Sequence, residues 1–220
     1  MEQPQPCERE GGKRQADDVD PAMNDECKKH KKASCFLDVD EFKQLNQEMM
    51  EYDEKREKVI KLSRDVNKLS KQAIYALHEE SIEKASECIQ QAEGVINKIR
   101  QVVQSDSSLR SGSFSNALEE YVEACCFRKY LADGDLLPMS VLSDIDRYEY
   151  LGGVLDFTGE IARYAVKQAT ARNVHSVQKC RDIVAAIDGA MIQFDASFGR
   201  LGKKIPTLQS SLKKIEVSGH

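Results

Sequence analysis

Between Pro21 and Pro138 the chain has no proline, and none follows until Pro206. Proline lacks an amide hydrogen and its ring collides with the preceding helical turn, so spans this long without it favour helix. From Asp38 the apolar residues Phe42, Leu45, Met49, Tyr52, Val59, Val66, Ala73 and Leu77 recur at a three-to-four spacing, with Asp38 and Asp40 as candidate N-caps. This pattern predicts one helix from 38 to about 78, roughly 60 Å long at 1.5 Å per residue. Arg56, Ser63 and Ser70 interrupt the seam, which suits packing in a bundle better than a two-stranded coiled coil.

Further helices are predicted from Ser81 to the polar break at 105–111, over 113–131, over 145–171 and over 173–195. A last one, over 198–217, is expected to be interrupted at Gly202 and Pro206, and a short element sits near Pro138. No pair of alternating segments is joined by a hairpin signal, so the fold class is all-α with about six to seven helices. Residues 1–36 hold few large apolar side chains and read as a disordered tail. The tail carries Lys13-Arg14 and the cluster 28–32, the spacing of a bipartite nuclear-import signal, so the expected location is cytoplasmic and nuclear.

A net charge of −5 excludes nucleic-acid binding by bulk electrostatics, so a polyanion must be gripped locally or by a partner subunit. No run approaches the ~18 apolar residues of a membrane helix, and no membrane association is expected. Seven cysteines without a Cys-x-x-Cys pair read as small apolar residues in a reducing compartment.

Two helical segments carry the chemistry. Glu120 and Glu123 lie one turn apart and share a face with Ala124 and Phe127, which predicts partial burial. Asp156 and Glu160 lie at i, i+4, with Gly152, Gly153 and Gly159 on or beside their face. Each helical glycine costs about 1 kcal/mol against alanine, which points to close approach of another backbone or a ligand. Buried like charges need a cation, either a metal or an Arg or Lys from another helix, while surface salt bridging through Arg128, Lys129 or Arg163 is the alternative account of these carboxylates. Four hard oxygen donors suit Mg²⁺ or Mn²⁺, which can activate water for attack on a phosphodiester. No P-loop, Gly-x-Ser-x-Gly or Glu-x-x-His occurs, which removes the corresponding nucleotide-binding, hydrolase and di-iron chemistries.

The stretch from Tyr52 to Asp65, the Glu120-Tyr121-Val122-Glu123-Ala124 motif and the segment Tyr150 to Glu160 resemble the translin family, in the branch that pairs with translin itself. The likeness runs from about Phe42 to Glu216. It implies that residues 37–220 form a translin-like helical domain that assembles with translin into a closed hetero-octamer around RNA. It also implies a Mg²⁺-dependent endoribonuclease, Mn²⁺ being a possible substitute. Its expected substrates are short or single-stranded RNA, in passenger-strand removal during RNA silencing and in trimming of transfer-RNA precursor fragments, and single-stranded DNA is a further possible ligand. By that match Glu120, Glu123 and Asp156 are the catalytic carboxylates and metal ligands, with Glu160 as a further ligand. Translin resembles this chain there but has an apolar residue at the position of Asp156. Two other readings stay open: a non-catalytic RNA-binding or assembly subunit, and a helical protein-interaction adaptor. Lys55, Arg56, Lys58, Lys61, Arg64 and Lys68 on the first helix are candidate RNA contacts.

Overall fold

The described residues form six α-helices: α1 Val39–His78, α2 Ile82–Val103, α3 Ser113–Asp133, α4 Arg147–Thr170, α5 Val174–Met191 and α6 Gly199–Ser218. The structure is a computed structural model in which residues 38–194 and 199–218 are described. The tail expected over 1–36 lies outside them. Short 3₁₀ turns at Ser107–Arg110 and Met139–Val141 connect α2 to α3 and α3 to α4, and the described residues contain no strand. The all-α class is therefore observed, and no described helix is long and apolar enough to cross a membrane.

Local chemistry sets several boundaries. Asp38 caps α1, its Oδ1 accepting the backbone N–H groups of Asp40 at 3.0 Å and Glu41 at 3.2 Å. At α4 Asp146 and Glu149 form a reciprocal capping box, so the helix starts at Arg147 and not at 145. The fully buried Glu149 carboxylate is also held by Arg110 at 2.8 Å. Gly134, at φ 82, terminates α3 in the left-handed conformation that glycine adopts without strain.

The chain divides into two units, residues 1–48 and 49–220. In the first, the described residues form the opening turns of α1, where Val39, Phe42 and Leu45 are exposed. In the second, Met49 and Tyr52 are exposed, and burial along α1 begins at Val59. The apolar row expected to pack throughout thus packs only in its later half.

Helix α4 packs against α3, α5 and α6, and α2 against α3. On α3 every residue from Tyr121 to Phe127 is buried, the mark of a helix surrounded on all sides. The core fills with Phe114, Phe127, Phe157, Leu118, Leu155 and Ile161. Cys125 and Cys126 belong to it as free thiols, and burial raises them to about 11 and about 12, so neither is a nucleophile at neutral pH.

Two further expectations need correction. Helix α5 ends at Met191, before 195, because Gln193 and Phe194 donate to the carbonyls of Ala190 and Met191, tightening the last turn. Helix α6 runs unbroken through Gly202 and Pro206. Pro206 removes one intrahelical bond, to the carbonyl four residues earlier, which is that of Gly202. Burial of Leu201, Leu208, Ser211 and Ile215 along one face keeps the helix whole.

Candidate active site

The site rests on the approach of α3 to α4. A Cβ added to Gly153 would lie 2.6 Å from both the Glu119 carbonyl oxygen and the Val122 Cβ, and one on Gly152 2.6 Å from the Glu119 carboxyl carbon. At Gly153 the approach of α3 excludes any side chain, whereas at Gly152 it is the Glu119 side chain that fills the space. Gly159 behaves differently from the expectation: nothing lies within 4 Å of its added Cβ, so it has no packing role in this structure.

This approach brings all four sequence-predicted carboxylates together. Glu120 and Glu123 from α3, with Asp156 and Glu160 from α4, line one cleft of about 570 Å³. Its other walls are Lys71, Ile74 and Tyr75 of α1, Arg163 of α4 and Thr207 of α6. Glu120 is partly exposed and lies 3.6 Å from Lys71. Burial raises its pKa, Lys71 opposes this, and the charge of Asp156 adds to it. Glu123 is only 8% exposed, and among the described residues it forms no hydrogen bond or ion pair. Burial, reinforced by the charges of Asp156, Glu120 and Glu160 and opposed by Lys204, pushes its carboxyl up to about 9 from an ordinary 4.5.

The other two carboxylates have partners. Asp156 Oδ2 accepts from Lys204 Nζ of α6, which also donates to Glu119 Oε2 at 2.6 Å and to the Gly152 carbonyl at 3.3 Å. Glu160 Oε2 lies 2.5 Å from Nε2 of the buried His78, whose ring packs against Phe127 with centroids 4.8 Å apart. Arg163 lies 3.8 Å from the same Glu160 oxygen, and Lys129 pairs with Asp133. Of the basic residues weighed from sequence, Arg163 therefore meets the cluster, whereas the cation on Asp156 comes from α6. Lys204, Glu119 and His78 were not singled out as site residues, because their contacts cross between helices and leave no local spacing to read.

As placed, no group of three or more His, Cys, Asp or Glu side chains among the described residues converges on a point where a metal ion could be held. The donor set fits a hard divalent cation in kind. It offers carboxylate oxygens from four residues about one cleft, and it includes the buried Glu123, which lacks a counter-ion. The six candidate RNA-contacting cations of α1, Lys55 to Lys68, are all exposed.

Glu123 makes metal-free stability depend on pH. Its folded pKa lies above its unfolded one, so between 4.5 and about 9 the folded chain keeps a proton that the unfolded chain releases. Stability therefore falls as pH rises through that window. Glu123→Gln removes the dependence. Without metal, the variant is expected to melt several degrees above the wild type at about pH 8, and the gap should close near pH 5. A gap that is the same at both pH values would show that Glu123 is not held protonated by burial.

Residues 54–219 match the Translin family. The Translin-associated protein X homolog of Schizosaccharomyces pombe is 28% identical, the match covering 80% of this chain and 84% of that one. Translin-associated protein X of Rattus norvegicus is 26% identical and that of Pongo abelii 27%, each match covering 80% of this chain and 74% of the relative. The fold is shared with the crystal structure of apo-NeC3PO, at a TM-score of 0.75 and 20% identity over 84% of this chain and 97% of that one. It is also shared with the structure of an AfC3PO–duplex RNA complex, at 0.70 and 18% over 81% of this chain and 94% of that one. The matched span covers every helix from the middle of α1 to α6, including both carboxylate pairs, and the chain belongs to the translin family.

Proposed function

We propose that the chain is the catalytic subunit of a Mg²⁺-dependent endoribonuclease formed with translin, cleaving short or single-stranded RNA. Passenger strands in RNA silencing and transfer-RNA precursor fragments are the substrates this assigns to it. The observation that carries the reading is the gathering of Glu120, Glu123, Asp156 and Glu160 from two helices about one cleft. It is supported by relatives named Translin-associated protein X and by a protein of the same fold whose structure includes duplex RNA.

Glu120, Glu123 and Asp156 would hold Mg²⁺ or Mn²⁺, with Glu160 as a further ligand. Bound there, the ion supplies charge neutralisation at the phosphoryl group and lowers the pKa of the attacking water. The remaining work falls to side chains of the chain. Lys71 and Arg163, both largely exposed where they line the cleft, would pair with RNA phosphates entering it. Tyr75 presents an exposed ring in the same cleft on which a base can stack. His78 orients Glu160 through its 2.5 Å contact.

The test is to co-express the chain with its cognate translin and measure RNA cleavage with Mg²⁺ and with EDTA. Cleavage is expected only with Mg²⁺, leaving 5′-phosphate and 3′-hydroxyl ends. An intact complex that binds RNA and never cuts it would favour the non-catalytic reading. That reading draws on a specific observation: Lys204 and His78 already engage Asp156 and Glu160.

The need for a partner is testable separately. Phe42 in the first unit is 55% exposed and Met49 in the second 67% exposed, which in water favours association. Expressed alone, the chain is expected to self-associate and to lack nuclease activity, with sedimentation velocity as the measurement. A stable, active monomer would contradict this.

A further inference from the structure

Lys204 extends from α6 to the seam between α3 and α4, and its three ammonium donors meet three acceptors: Glu119 Oε2, Asp156 Oδ2 and the Gly152 carbonyl. The side chain is 26% exposed, so the charge is only partly screened by water. It acts beyond its direct partners, opposing at both Glu120 and Glu123 the rise that burial causes. Asp156 adds its charge beside Glu120 and Glu123, and without a metal a cation must offset it. Yet the oxygen Lys204 engages belongs to Asp156, a carboxylate assigned to the metal. An ammonium and a divalent ion on one carboxylate, in a partly dry cleft, repel each other strongly.

We propose that Lys204 is a built-in counter-cation that holds the metal-free carboxylate cluster together and competes with the divalent ion for Asp156. The inference rests on the metal site of the proposed function and adds the residue that governs its loading. The lysine has a flexible four-carbon stem, and on leaving Asp156 it keeps Glu119 and the Gly152 carbonyl as partners. Glu119 is steadied in turn by Arg200 at 3.4 Å. Loading thus exchanges one ion pair for another without stranding a buried charge.

The test is Mn²⁺ titration of the full-length chain co-expressed with translin, with free Mn²⁺ followed by electron paramagnetic resonance. Wild type, Lys204→Gln and Lys204→Arg are compared. Lys204→Gln is expected to bind Mn²⁺ about tenfold more tightly or better, because the competing charge is gone. Without metal it should melt about 5 °C lower than wild type, and saturating Mn²⁺ should close that gap. Lys204→Arg keeps the charge and should bind Mn²⁺ as weakly as wild type. Should Lys204→Gln fail to fold, Lys204→Met, which keeps the apolar stem, carries the same comparison. Equal or looser Mn²⁺ binding in the folded neutral variant overturns the proposal while the metal site stands, Lys204 then being a strut between helices. No Mn²⁺ binding by wild type removes the metal site itself, and the proposal with it.

Discussion

Asp156→Asn in the assembled complex is expected to lower RNA cleavage by about 10³-fold or more while leaving RNA affinity equal or higher. The substitution keeps volume and helix and removes one negative charge beside the path of the scissile phosphate. Glu123→Gln should act the same way on cleavage, since it removes a ligand charge without changing shape. Fold and chemistry can be told apart in these variants. In Asp156→Asn, Lys204 retains Glu119 and the Gly152 carbonyl, so destabilisation should be modest. In Glu123→Gln, a carboxyl that burial keeps protonated becomes a neutral amide, so metal-free stability should rise. If the carboxylates serve only as ion-pair partners, Asp156→Asn should instead lower cleavage no more than it lowers stability and RNA binding. Melting temperature, RNA affinity and cleavage measured on one preparation separate these outcomes. Wild-type cleavage rates in a folded Asp156→Asn complex would sink the metal-site assignment.

Gly153→Ala is expected to destabilise the chain by about 1 to 3 kcal/mol or more, through overpacking. Its new methyl would sit 2.6 Å from the Glu119 carbonyl oxygen and the Val122 Cβ, both parts of a fully packed helix that can yield only by moving α3 away from α4. The same movement separates Glu120 and Glu123 from Asp156 and Glu160, so cleavage should fall along with the melting temperature. Gly159→Ala is the internal control. Open space surrounds that position, and alanine there should raise stability by up to about 1 kcal/mol through helix propensity. Thermal melts of both variants decide the matter, and a Gly153→Ala chain as stable as wild type would mean that α3 and α4 are not in backbone contact.

These two glycines show where reading the chain succeeds and where it stops. Three glycines near Asp156 pointed to close approach; at Gly153 a backbone is close, at Gly152 only the Glu119 side chain, and at Gly159 nothing is near. Helical phase places a residue on a face, but it does not say how far the neighbouring helix extends along that face.

The same division runs through the molecule. The helices, the cap at Asp38, the stop at Gly134 and the pairing of Glu120 with Glu123 and of Asp156 with Glu160 all follow from interactions within a turn or two. Such interactions depend on residues at fixed short offsets, which the amino-acid order states directly. The partners of the carboxylates do not. Lys204 meets Asp156 across 48 residues and His78 meets Glu160 across 82, each through the packing of separate helices. Nor does local spacing explain why Glu123 is buried while Glu120 stays partly open, why α1 leaves Phe42 and Leu45 exposed, or why α6 continues past Pro206. Burial and charge pairing depend on which surfaces meet. The approach of α3 to α4 at Gly153 and the reach of α6 side chains into that seam set the outcome, and the electrostatics of the cleft follow from the distances that result.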